Sequence, residues 1–130
     1  MPIKQPISVR DSGPMMPSEL LTAAADWIDS HGWIQGNFYE QGTLAACAIG
    51  ALHFAAREVF DCADGQGRRA AIADATDALA VVALELNGKL VEGATTQEQV
   101  IVFNNSGVID KADAICWLQK ASAHAAEAGK

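Results

Sequence analysis

All four prolines of the chain, Pro2, Pro6, Pro14 and Pro17, fall within its first 17 residues, and none occurs from Ser18 to Lys130. Proline removes a backbone donor and clashes with the preceding helical turn, so its confinement leaves the remainder free to form long helices. Alanine, the best helix former because it loses no side-chain entropy, accounts for 25 of the 130 residues. Hydrophobic residues make up 50% of the chain but aromatics only 6%, so the core must be built mainly from Ala, Leu, Ile and Val. That composition excludes a disordered chain. The expected fold is all-α: a compact bundle of four main helices plus one short helix, with an extended, Pro-containing N-terminal arm. The arm is residues 1–17 and a single helical domain is 18–130. A chain of this size can bury a core without disulfide staples.

The formal charge is −7, from 9 basic and 16 acidic residues. A nucleic-acid surface needs clustered Lys and Arg, so nucleic acid is not an expected partner, and Arg68-Arg69 is too small a patch to change that. Acidic residues are spread over many helical turns rather than packed in a run, which reads as an ordinary solvated surface and not as a DNA mimic. The N-terminus lacks a charged head followed by a long apolar stretch. The longest uncharged apolar region, Gln41 to Ala56, is shorter than the roughly 20 residues that span a bilayer, so no membrane contact is expected. Three cysteines, Cys47, Cys62 and Cys116, lack metal-ligand or Cys-x-x-Cys spacing. They read as free thiols in a reducing cytoplasm.

Apolar spacing predicts a first helix over 18–30, capped by Ser18 and ended by Gly32 in a left-handed conformation. A second helix is expected from a Thr43 cap to Phe60, apolar nearly all round and therefore central. In it, Gly50 is expected to let another helix approach. Residues 61–67 read as a loop, and 68–86 as a third helix ended by Asn87-Gly88. Two overlapping capping boxes, Thr95…Glu98 and Thr96…Gln99, precede Val100-Ile101-Val102-Phe103 and predict a short helix. Asn104-Asn105-Ser106-Gly107 reads as a turn. Asp110 then caps a last helix to Glu127, with Ala114, Ile115, Leu118 and Ala121 facing in.

Three groups of residues are candidates for chemistry. Cys47 lies four residues into the predicted second helix, where a helix dipole can stabilise a thiolate. Its base would be His31 or His124, because His53 is on an oblique face of the same helix. The plainer reading is a buried small hydrophobe. The loop carrying Trp33, Gln35, Asn37, Phe38 and Tyr39 combines aromatic anchors with amides, a composition suited to binding. Its plainer alternative is that Trp33 plugs the helix ends. Asn104 and Asn105 form the third group, with turn formation as the simpler role. Asp61-x-x-Asp64-Gly65 lacks the alternating ligands and terminal Glu of a calcium loop. No metal site and no cofactor is expected.

Taken in order, Gly32-Trp33-Ile34-Gln35-Gly36, Cys47-Ala48-Ile49-Gly50-Ala51 and Phe103-Asn104-Asn105 resemble a family of small proteins of unknown function from actinobacteria and their phages. The family pattern is Gly-Trp-x-x-Gly, Cys-x-x-Gly-Ala and Trp-Asn-Asp, and the likeness extends over roughly residues 20–122. Phe103 stands where the pattern has Trp and Asn105 where it has Asp, so any acid function of that Asp is absent here. The resemblance implies a cytoplasmic setting in a bacterium or a phage-infected host cell, and no reaction. The resulting expectation is a non-enzymatic protein-binding module, such as a phage-encoded modulator of a host actinobacterial protein, using Trp33, Gln35, Phe38, Tyr39, Asn104 and Asn105. Its alternatives are a cysteine-dependent enzyme with Cys47 as nucleophile, and a small-molecule site between the aromatic loop and Asn104-Asn105. Alanine-rich helical faces are also compatible with a homodimer.

Overall fold

A computed structural model describes residues 16–58, 65–87 and 91–130. Five helices run through them: α1 Pro17–His31, α2 Ala48–Glu58, α3 Gly65–Asn87, α4 Thr96–Ser106 and α5 Lys111–Glu127. The fold is all-α, as the placement of proline requires. The described residues contain no strand, only isolated bridges that pair Ala46 with Trp33 and with Tyr39. Residues 1–15 of the expected arm lie outside the described residues, as do Val59, Phe60, most of the 61–67 loop including Cys62, and Gly88. Pro17 belongs to α1 rather than to the arm. It occupies the start of the helix, where its missing N–H would have no partner in any case.

α1 and α5 form the most extensive helix pair. Leu20, Leu21, Ala24, Ala25 and Ile28 of α1 and Ala114, Trp117, Leu118, Ala121 and Ala125 of α5 are buried. Ser18 does not cap α1, contrary to expectation, because the helix starts before it and Met16 holds the cap position. Instead both its N–H (3.0 Å) and its hydroxyl (2.9 Å) donate to the carbonyl of Lys130. The Ser122 hydroxyl returns from α5 to the Ser18 carbonyl at 2.8 Å, so the two ends of the domain are clasped.

Trp117 is the largest fully buried side chain. It was absent from the predicted inward face of the last helix. Its indole N–H donates to the Leu79 carbonyl of α3 at 3.0 Å, and its ring meets the Phe103 ring of α4 edge-on at 4.8 Å. One side chain thus fastens three helices.

Two of the expected caps are realised; the overlapping Thr96…Gln99 box is not, since Thr96 is already helical and Gln99 Oε1 accepts from the Val91 N–H at 3.2 Å. Thr95 and Glu98 form the reciprocal capping box, and Asp110 accepts from the Asp113 N–H at 2.9 Å. Gly32 closes α1 with φ 107°, a conformation that side-chain-bearing residues avoid. Three further expectations fail. α3 begins at Gly65, inside the expected loop. Asn104 and Asn105 are the last turn of α4, not a separate turn. The second helix starts at Ala48 rather than after Thr43, whose hydroxyl instead donates to Glu40 at 2.6 Å and accepts from the Ala45 N–H at 3.2 Å.

Trp117→Phe removes the indole donor and part of the buried volume. It should cost about 1–3 kcal/mol, read as a lower urea midpoint at unchanged slope.

Candidate functional site

Between α1 and α2 the chain doubles back on itself. Ala46 donates to the Gly32 carbonyl at 3.1 Å, and Glu40 donates to Ala45 at 2.8 Å. The Trp27 indole N–H holds the Leu44 carbonyl at 3.0 Å, while Leu44 takes φ 63°. The Cys47 N–H donates to the Phe38 carbonyl at 3.1 Å, which brings that carbonyl down onto α2. A Cβ at position 50 would collide with the Phe38 carbonyl. Gly50 is therefore needed for the loop to lie on the helix, not for a second helix to approach.

The loop is fastened to α4 by one buried amide. Asn104, 1% exposed, accepts at Oδ1 from the Trp33 indole (2.9 Å) and from the Ala48 N–H (3.2 Å). Its Nδ2 donates to the Ile34 carbonyl at 3.1 Å and to Asn105 Oδ1 at 3.2 Å. The side chain of α4 thereby satisfies one of the N–H groups that the first turn of α2 leaves without a helical acceptor. Gln35 does the converse for α4. Its Nε2 reaches the carbonyls of Asn105 (3.0 Å), Asn104 (3.2 Å) and Val108 (3.4 Å) beyond the end of that helix. Asn105 Oδ1 accepts from the Gly36 N–H at 3.0 Å. Thus Trp33, Gln35, Asn104 and Asn105, singled out as binding residues, make a joint between helices.

Cys47 occupies the cap position of α2, not its second turn. Its Sγ accepts from the Gly50 N–H at 3.4 Å, and its carbonyl accepts from Ala51. Burial pushes the thiol up from its ordinary value, outweighing the lowering by the N–H groups of Gly50, Ile49 and Cys47 itself. His31 is occupied elsewhere: Nδ1–H donates to the Trp27 carbonyl at 3.1 Å and the ring stacks on Trp27 at 3.9 Å.

Phe38 and Ile49 form a wall shared by two hollows. The smaller, about 260 Å³, is bordered by Gly36, Cys47, Ile101, Asn104 and Asn105, so it does join the three sequence blocks. The larger, about 890 Å³, lies on the other side of the wall. Trp27, Tyr39 and Phe54 line it, together with His53, Arg57 and Arg68. Phe54 stacks on Trp27 at 4.7 Å, Tyr39 meets Phe54 edge-on at 5.3 Å, and the Arg57 guanidinium stands 5.6 Å over the Phe54 ring. Phe38 and Tyr39 remain 48% and 46% exposed at its rim. Desolvation, followed by the charge of Arg57, holds His53 below the ordinary imidazole value.

Of the expected binding residues, only Phe38 and Tyr39 face the larger hollow. Trp27, Phe54, Arg57 and Arg68 had not been singled out for it. The available signals were helical spacing, Trp27 to His31 at i+4 and Phe54 to Arg57 at i+3. Nothing local in the sequence indicates that these two helices meet.

An all-α domain with a looped joint and an aromatic, arginine-flanked hollow is the class of protein defined by these features. The chain belongs to DUF6197, a family of unknown function whose model matches residues 13–124. No curated protein and no solved structure matches it. Among the described residues, no helix is long and apolar enough to cross a membrane.

Asn104→Ala should cost about 2–4 kcal/mol, because it leaves the Trp33 indole, the Ala48 N–H and the Ile34 carbonyl without partners in a buried setting. Chemical denaturation measures that loss, and indole hydrogen exchange at Trp33 should accelerate. A second expectation concerns alkaline pH. The folded chain favours the protonated Cys47 thiol, so this contribution is intact below the ordinary thiol value of 9.0 and is lost as pH rises through the higher folded value. Cys47→Ala should lack that share of the alkaline decline when melting temperatures are compared across pH.

Proposed function

We propose that this domain acts by binding rather than by catalysis, with the larger hollow as its binding face. The observation that carries this reading is a half-open aromatic concavity of about 890 Å³ whose rim holds two half-exposed rings, Phe38 and Tyr39. Binding pockets combine apolar walls with a few fixed polar groups, and here a rigid joint positions the rim. The buried, protonated Cys47, capping its own helix, weighs against a nucleophilic enzyme. Exposed aromatic anchors also favour a protein partner at the same rim, as a phage-encoded modulator of a host actinobacterial protein would require. Such a protein would act in the cytoplasm of the bacterium or of the infected host cell.

The test is thermal denaturation against a panel of small metabolites, with Phe38→Ser/Tyr39→Ser as the control. A true ligand at a hundredfold excess over its Kd stabilises the fold by about 2.7 kcal/mol, and the double variant should lose that shift while keeping its helicity. The reading fails if no compound produces a shift, or if the shift survives in the double variant. Alkylation mapping by mass spectrometry addresses the enzymatic alternative. Native protein should react at exposed Cys116 and stay protected at Cys47; rapid modification of Cys47 at neutral pH would favour the enzyme.

A further inference from the structure

We infer that the hollow takes a flat aromatic molecule, and that Leu44 is the residue that shapes it for one. This rests on the hollow being the binding face. The chain has only three Trp, four Phe and one Tyr, yet Trp27, Phe38, Tyr39 and Phe54 all line this one concavity. They come from α1, α2 and the loop between them. The rings stand in two orientations: Trp27 and Phe54 lie within 7° of parallel, and Tyr39 stands at 86° to Phe54. A flat ring aligned with either set meets the other edge-on, so stacked and edge-to-face contacts are both open to it. A saturated ring of the same size gains from the area it buries but not from ring–ring contact. The volume, about 890 Å³, lies in the range that holds small organic ligands. His53, biased toward its neutral form, and Gln97 can each give and take a hydrogen bond at the edge of such a ring.

Leu44 lines the same hollow in a conformation that its side chain opposes. Its φ of 63° is left-handed, and among the described residues other than glycine no other φ is positive. Glycine takes that conformation freely, whereas a Cβ crowds the following carbonyl. The hydrogen bonds that hold the turn at this position use only backbone atoms of Leu44. Its N–H donates to the Glu40 carbonyl at 2.9 Å, and its carbonyl accepts from the Trp27 indole at 3.0 Å. A glycine could make both. Leu44 also stands outside the contiguous core of described residues, although Trp27 and Phe54 pack against that core. The turn therefore does not require the leucine side chain. What the side chain adds, against the preference of its own backbone, is apolar wall beside the rings. Strain of this kind persists at sites that serve contact with a ligand.

N-Phenyl-1-naphthylamine, which fluoresces on entering an apolar site, serves as the probe. The competitors are 2-naphthol and its saturated counterpart, decahydro-2-naphthol. The full chain should bind the probe saturably at one site, and the naphthol should displace it at least about tenfold more effectively than the saturated alcohol. Leu44→Gly should weaken the probe about fivefold or more while the melting temperature stays level or rises. Leu44→Asn, which also accepts a positive φ, should do the same. A lowered melting temperature in both variants, or unchanged probe affinity in both, overturns the role of Leu44. Equal displacement by the two alcohols, or better displacement by the saturated one, overturns the aromatic preference while leaving the hollow as a binding face. If the probe does not bind, or binds Phe38→Ser/Tyr39→Ser as tightly, the binding face itself is wrong.

Discussion

The buried amide of Asn104 is the interaction on which the rest of the domain's geometry depends. An unpaired N–H or carbonyl in a protein interior costs about as much as several ordinary hydrogen bonds gain, so polar backbone cannot enter the core without partners. The segment between α1 and α2 is irregular and crosses the domain beside α4. Asn104 answers for it with one acceptor and one donor group: Oδ1 takes Trp33 and Ala48, and Nδ2 gives to Ile34 and Asn105. A short side-chain amide offers two acceptor lone pairs and two N–H donors, enough for all four bonds, where a hydroxyl has a single donor. Aspartate lacks the donors and leucine lacks both, so the residue type follows from what the joint must satisfy.

From that joint the positions of the neighbouring elements follow. Asn104 fixes the start of α2 by taking the Ala48 N–H, and Cys47 completes the cap through its sulfur. Gln35 and Asn105 tie the loop back over the end of α4. The Phe38 carbonyl then sits against α2 at the one residue without a Cβ, Gly50. Gly32–Gly36, Cys47–Ala51 and Phe103–Asn105 are thus three sides of a single hydrogen-bonded corner.

What could be read from the sequence divides by the range of the interactions involved. The all-α class, the Thr95–Glu98 capping box, the Asp110 cap and the Gly32 terminus each rest on residues within one or two turns, and each is legible. The segment from Thr43 to Cys47 is not. Its Leu-Ala-Ala-Cys composition favours helix locally, yet Trp27 and Asn104 hold it irregular from 17 and 56 positions away. Asn104-Asn105 misleads in the opposite sense: asparagine favours turns, but here its partners lie about 70 positions upstream and reward a helical backbone. The hollow was hidden for the same reason. Phe54 and Arg57 share one face of α2, but that face means little until Trp27 of α1 and Arg68 of α3 are brought against it.

Phe38 and Ile49 join the hydrogen-bonded corner to the proposed binding face. They divide the small cleft, whose walls are the polar joint, from the large hollow, whose walls are aromatic. The loop turns the Trp33 indole and the Ile34 carbonyl toward Asn104 and the rings of Phe38 and Tyr39 toward the hollow, so the hydrogen bonds that satisfy the buried backbone also set the rim. A rim held this way loses little conformational freedom when it closes on a ligand, which favours affinity at fixed contact area. Placing Cys47 at the centre of the corner is consistent with that arrangement. A small, protonated sulfur can accept from the Gly50 N–H without bringing charge beside Asn104, whereas for a thiolate the cost of burial would outweigh what the N–H groups of Gly50, Ile49 and Cys47 return.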